Sequence, residues 1–331
     1  MHYINMKNKK KIYYGLDFLK FLMALLIIAT HSQLLVEYNN IYHAATIIYS
    51  LAVPTFFSIS TYFYAKKLLS TQTQYDAWKI CKKDICRLLL LECFWLVIDL
   101  PMTWDIFFSH ITNWKECVAA FLFVFPVRGL WFINALIINK IILYLFRNHL
   151  KSLSIISLIV FILFSLGYTP LLNGFSHPYH PYFNFYFHTF FCCIGALFAK
   201  YQRLLSFRID ILAIFLIVIF LWHLYNYDYA VIAWRIICPF FFMSTFLRIC
   251  YTPKETIKPL FLYMRKVSIL FYFLHFNFLW LYNNILNLND ISIFSFSIIR
   301  YVVILVCCFF TSIVILKIEK IKFFSFLKYS H

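Results

Sequence analysis

The chain has 331 residues, 63% of them hydrophobic and 13% charged, with 41 phenylalanines against 5 glycines. A soluble domain is nearer to roughly 45–50% apolar and about 25% charged, so this composition excludes one core wrapped in a polar surface and indicates an all-α integral membrane protein. The formal net charge of +17 would suggest nucleic acid in a soluble chain. Here the basic residues lie between apolar runs, with no Gly-rich phosphate loop and no RNA-binding signature, so no nucleic-acid partner is expected.

In chain order, the hydropathy predicts ten spans of about 20 residues each, over 16–36, 44–65, 85–106, 129–147, 152–172, 183–201, 209–226, 230–250, 267–286 and 293–317. The first follows Lys7, Lys9, Lys10 and Lys11, as a signal peptide would. It is long for one and lacks a small-residue cleavage site, so it is read as a retained span. The run 116–127 is too short to cross and reads as interfacial or re-entrant. With both termini placed in the cytoplasm, only Lys115 and Arg128 fall outside. Lys20, Lys140, Arg235 and Arg300 fall within spans, and every other Lys or Arg lies inside or at an inner span edge. That alternation supports an N-in, C-in chain. One transmembrane domain over 1–331 is expected, with no separate soluble domain. The ten cysteines lie mostly in apolar runs (Cys93, Cys192, Cys193, Cys238, Cys307, Cys308). They read as small buried hydrophobes rather than metal ligands or disulfides.

Span one, "LDFLKFLMALLIIATHSQLL", holds three ionisable groups at depth, where they are costly. Lys20 and His31 are eleven residues apart. At about 100° and 1.5 Å per residue they share one helix face about 16 Å apart. Asp17, three residues before Lys20, is placed to pair with it. Two readings follow: a cation and an imidazole lining a passage, or a snorkelling anchor and an interface histidine. In span three, Glu92 and Asp99 share a face and are candidates to pair with Lys20, Arg235 or Arg300, to orient His31, or to join helices. His188 and His223 read as packing residues.

Lys20-x10-His31 resembles the first-span signature of acyltransferase family 3, polytopic membrane enzymes many of which O-acetylate cell-surface glycans. Further stretches resemble the family in order. "VPTFFSISTYFY" (Val53–Tyr64) matches a motif usually ending Ser-Gly-Tyr, here Ser60-Thr61-Tyr62. "KKDICRLLL" (Lys82–Leu90) stands where the family often has two arginines three apart; here the positions are Asp84 and Arg87. "GLWFINALI" (Gly129–Ile137), "FHTFFCCIGALFAKY" (Phe187–Tyr201) and "ILFYFLHFNFL" (Ile269–Leu279, with Tyr272-x-x-His275) follow.

The resemblance implies transfer of an acyl group, usually acetyl, from cytoplasmic acetyl-CoA to a hydroxyl of a surface glycan or lipid-linked saccharide. It implies residence in a bacterial inner membrane and no tightly bound cofactor or metal. His31 is the expected general base, or a nucleophile passing through an acyl-imidazole, with Lys20 and Asp17 beside it. Lys82, Lys83 and Arg87 are the expected partners of the coenzyme phosphates, or ordinary positive-inside charges. Glu92, Trp131, His275 and Tyr62 are expected to line the substrate cavity. The rival is a transporter or flippase of a lipid-linked sugar, which has no specific need of Lys20-x10-His31.

Overall fold

The structure is a computed structural model and describes residues 13–110, 129–167, 185–201, 208–225, 227–248, 254–286, 288–291, 293 and 295–320. Among these residues the regular structure is entirely helical. The α-helices are α1 (Tyr14–His31), α2 (Asn39–Tyr49), α3 (Ala52–Leu68), α4 (Gln74–His110), α5 (Leu130–Leu145), α6 (Leu150–Ser165), α7 (Phe185–Lys200), α8 (Ile209–Tyr225), α9 (Tyr227–Arg248), α10 (Lys258–Trp280) and α11 (Ser297–Ile318). A π-helical turn, Leu281–Ile285, extends α10. The run 116–127 and Arg128 lie outside the described residues.

Each predicted apolar run overlaps a helix of the described residues. Five segments are long and apolar enough to cross a membrane: α1, the α2–α3 pair, α6 with the turn before it, α9 and α11. α5, α7 and α8 are shorter apolar helices. α4 and α10 are too charged to join the five, carrying Asp84, Arg87, Glu92 and Asp99 in one and Arg265 and Lys266 in the other.

Two elements differ from the hydropathy reading. The run 44–65 is two helices rather than one. The hydroxyls of Thr46 and Ser50 donate to the carbonyls of His43 and Ile47, at 2.7 Å each, and such local bonds compete with helix continuation. Pro54 then sits in the first turn of α3, where a missing N–H breaks no intrahelical bond. α4 extends well before 85–106. The hydroxyl of Thr73 accepts the Asp76 amide at 3.0 Å and donates to its carboxylate at 2.6 Å, a reciprocal cap that starts the helix in the charged stretch. At 37 residues α4 is about 55 Å long, well beyond a hydrocarbon core of about 30 Å.

The inner layer is α1, α3, α7 and α10, with Leu16, Leu19, Phe57, Ile59, Phe191, Cys192 and Phe271 almost fully buried. α6, α8 and α11 turn apolar faces outward, including Ile155, Ile159, Ile214, Ile217, Phe310 and Val314, as lipid-facing helices do. α3 and α7 approach closely. The Ser58 hydroxyl donates to the Phe191 carbonyl at 2.9 Å. A methyl group at Gly195 would overlap the Ser58 carbonyl and the Thr61 hydroxyl. Thr61 stands where the resembled motif has glycine, and the close contact uses the glycine of the facing helix instead. Of the cysteines, Cys192, Cys193, Cys238 and Cys308 are buried and Cys307 partly so, but Cys93 is exposed on the outer face of α4.

Candidate functional site

α1 and α10 pack side by side and run in the same direction. Tyr14 and Phe18 meet Phe261 at 5.8 and 6.3 Å between ring centroids, Phe21 meets Phe271 at 5.8 Å, and His31 meets His275 at 5.1 Å. The contacts therefore advance together along both helices, from an end rich in charge to an end holding two imidazoles.

At the charged end, Asp17 is buried at 1% exposure. Its two oxygens accept from Arg265 Nε at 2.8 Å and from a terminal guanidinium nitrogen at 2.5 Å. The expected pairing of Asp17 with Lys20 is thus replaced. A guanidinium presents two donors in the plane of a carboxylate, which an ammonium does not. Lys20 stays within electrostatic reach of Asp17, Arg265, Lys140 and Arg87, and its Nζ lies 5.1 Å from the centroid of the Phe63 ring, a cation–π distance. Lys66 adds a further cation. It donates to the Tyr13 hydroxyl and lies 4.7 and 6.0 Å from the Tyr13 and Tyr62 ring centroids. Tyr62 meets Tyr13 edge-on at 5.8 Å. This end is therefore a cradle of ammonium groups and aromatic rings.

Asp84 forms an ion pair with Lys140 on α5, and the Tyr64 hydroxyl donates to the Lys140 carbonyl at 3.1 Å. The carboxylate that departs from the family's arginine pattern thus neutralises the lysine inside span four. Of the three cations at the start of span three, Arg87 is within electrostatic reach of Lys20. Lys82 and Lys83 are exposed on α4.

Glu92 is buried at 4% exposure on α4. One turn later Trp95 stacks on Phe273 at 4.8 Å. Two turns later Asp99 accepts from the Asn277 side chain at 2.9 Å. Glu92 and Asp99 do share a face, and it meets α10. Arg300 Nε donates to the Ser32 carbonyl at 2.9 Å.

At the imidazole end, His31 closes α1 with its side chain exposed, and Phe276 lies 4.5 Å from its ring. His275 is 1% exposed. The Tyr272 hydroxyl donates to the Gly129 carbonyl at 2.8 Å, so the Tyr-x-x-His and Gly-Leu-Trp-Phe stretches meet. Gly129 begins α5 at φ +79°, a left-handed conformation suited to glycine, and a side chain there would press on Phe276. Trp131 follows, 5.3 Å from His188, which itself stacks on Phe57 at 4.5 Å. Of the four residues expected to line the cavity, Tyr62 lies at the charged end beside Tyr13, His275 and Trp131 lie at the imidazole end, and Glu92 is buried on the α4 face toward α10.

Beyond this end the chain is clasped. Glu37 accepts the Ser297 amide and hydroxyl at 2.5 Å each, capping α11, and the Leu35 amide donates to the Ser297 hydroxyl at 2.8 Å. Desolvation pushes the Glu37 carboxyl up, but the Ser297 hydroxyl and amide outweigh it and, with Arg300, hold it below the usual carboxylate range.

Arg265, Lys66 and Tyr13 were missed in the sequence. Arg265 carried one signal, an arginine at the edge of an apolar run ten positions before His275.

Among the described residues no group of three or more His, Cys, Asp or Glu is placed to hold a metal ion. No curated protein and no solved structure gives a significant match to the chain. The family model of the acyltransferase domain matches residues 13–317, a range that holds both ends of the α1–α10 site, and the chain belongs to acyltransferase family 3, whose members are membrane acyltransferases.

Proposed function

We propose that the protein moves an acyl group, acetyl in the first instance, from cytoplasmic acyl-CoA to a hydroxyl of a cell-surface or lipid-linked glycan, in a bacterial inner membrane. The observation that carries this is the polarity of the α1–α10 pair: cations and aromatic rings at one end, His31 beside His275 at the other. The cation-rich end suits a polyanionic donor, with Lys20, Lys66 and Arg87 toward its phosphates and Tyr13 and Tyr62 offering faces to its adenine. The about 16 Å from Lys20 to His31 is then spanned by the pantetheine arm. The parallel course of α1 and α10 fits spans one and nine of an N-in chain, both running outward.

A hydroxyl is a weak nucleophile at neutral pH and needs a base within hydrogen-bond reach. A neutral nitrogen of His31 takes the hydroxyl proton as the oxygen attacks the thioester carbonyl. The C–O bond forms, the C–S bond breaks, and the departing thiolate takes the proton back from His31. The products are the O-acyl ester and free coenzyme thiol, with His31 restored. Asp17, held by Arg265, sets a carboxylate near Lys20, which offsets repulsion among the cations of the cradle.

The test is acetyl release from the surface glycan of cells with the gene, without it, and with His31→Ala. Released acetate should fall to background in the last two. Equal release with and without the gene would refute the proposed activity. Full release from the His31→Ala strain would refute the role of His31 and favour the flippase reading.

A further inference from the structure

His275 Nδ1 lies 3.0 Å from the Phe271 carbonyl oxygen. A carbonyl only accepts, so Nδ1 carries the ring proton and Nε2 is a bare lone pair. That Nε2 is buried and meets no hydrogen-bond partner among the described residues. A buried acceptor left unpaired is costly, and here a second bond on the same ring fixes it in that state.

The group beside it is His31. The two ring centroids are 5.1 Å apart and the planes are tilted by 35°. An N–H···N bond of about 3 Å, with each nitrogen about 1.1 Å from its ring centre, needs centroids roughly 5 Å apart. The separation suits such a bond. His31 lies at the exposed end of α1. His275 is pinned by its Nδ1 bond and by Phe276, 4.0 Å away.

We propose that His275 is a positioning residue for the base: its Nε2 accepts the N–H of His31 and so presents the other His31 nitrogen, bare, to the acceptor hydroxyl. This rests on His31 being the base. No proton passes between the rings. The hydroxyl proton goes to the outward nitrogen of His31 and from there to the thiolate, while His275 keeps its Nδ1 proton on the Phe271 carbonyl throughout. A neutral histidine thereby does for His31 what a carboxylate does for other catalytic histidines, fixing tautomer and aim.

Two substitutions separate this from a structural role. Asn139 and Asn277 each donate their side-chain amide to the carbonyl four residues back, at 2.9 and 3.2 Å. His275→Asn therefore keeps the bond to Phe271 and loses the Nε2 acceptor. His275→Gln reaches farther and offers a carbonyl oxygen near the Nε2 position. Acyl transfer from labelled acetyl-CoA is measured in membranes and normalised to folded protein by size exclusion in detergent. His275→Gln is expected to stay within about tenfold of wild-type kcat and His275→Asn to fall about a hundredfold, with KM for acetyl-CoA unchanged in both. His275→Asn retaining as much kcat as His275→Gln would overturn the proposal. His31→Ala runs in parallel: its full activity would instead remove the base assignment on which the proposal stands.

Discussion

The Asp17–Arg265 pair gives the sharpest energetic prediction, because its two members are unequally buried. The Asp17 side chain is 2% exposed and that of Arg265 is 43% exposed. Arg265→Ala strands a carboxylate with no route to water, and removing one partner of a buried pair costs about 3–5 kcal/mol. Asp17→Ala leaves a guanidinium that still reaches solvent, so that loss is discounted for screening to about 1–2 kcal/mol. At about 2 °C per kcal/mol for a chain of this size, Arg265→Ala should lower Tm in detergent by about 6–10 °C and Asp17→Ala by about 2–4 °C. The double variant should be more stable than Arg265→Ala alone, since it removes the stranded charge. A functional consequence follows. With Arg265 gone, the uncompensated Asp17 carboxylate acts on Lys20, which lies within its electrostatic reach, and weaker attraction of Lys20 for a polyanion should raise KM for acyl-CoA more than it lowers kcat. Thermal unfolding of the four proteins, followed by transfer kinetics, measures both. Asp17→Ala proving as destabilising as Arg265→Ala would refute the reasoning, because it would show that burial asymmetry does not set the cost.

Other variants probe other parts of the account. Lys140→Met should destabilise by about 2–4 kcal/mol by stranding Asp84, and adding Asp84→Leu should restore much of the loss; equal melting of the single and double variants would contradict this. Gly195→Leu should lower the yield of folded protein, because the α3–α7 contact has no room for a side chain and overpacking costs about 1–3 kcal/mol or more. The Glu37 clasp predicts a pH dependence of known sign. Its folded pKa is depressed, so its stabilisation is present above the unfolded carboxylate value near 4.5 and is lost as pH falls through the folded one. Wild-type Tm should therefore fall more steeply than that of Glu37→Gln as pH drops below that value; parallel curves would sink the reading.

The positions of the helices were legible because an apolar run of sufficient length has few alternatives in a membrane. What hydropathy missed lay in polar detail. The break before Ala52 depends on hydroxyl-to-backbone bonds at Thr46 and Ser50, and the early start of α4 depends on the Thr73–Asp76 cap. In the site, Lys20 and His31 could be placed on one face from helical periodicity alone. Their partners could not, because spacing within a helix does not say which helix lies beside it. Asp17 was assigned to the cation nearest in sequence, whereas a guanidinium on α10, 248 residues away in the chain, has the better geometry. The same limit hid the meeting of Asp84 with Lys140. His275 was visible as a motif residue, but its tautomer depends on the Phe271 carbonyl and its relation to His31 on the packing of α1 against α10.

The most direct measurement is transfer of label from acetyl-CoA into membranes holding equal amounts of folded wild type, His31→Ala and Lys20→Ala. Loss of the base should lower kcat by about a hundredfold or more with little change in KM, and loss of the ammonium should raise KM for acetyl-CoA. Undiminished turnover in His31→Ala would contradict the account.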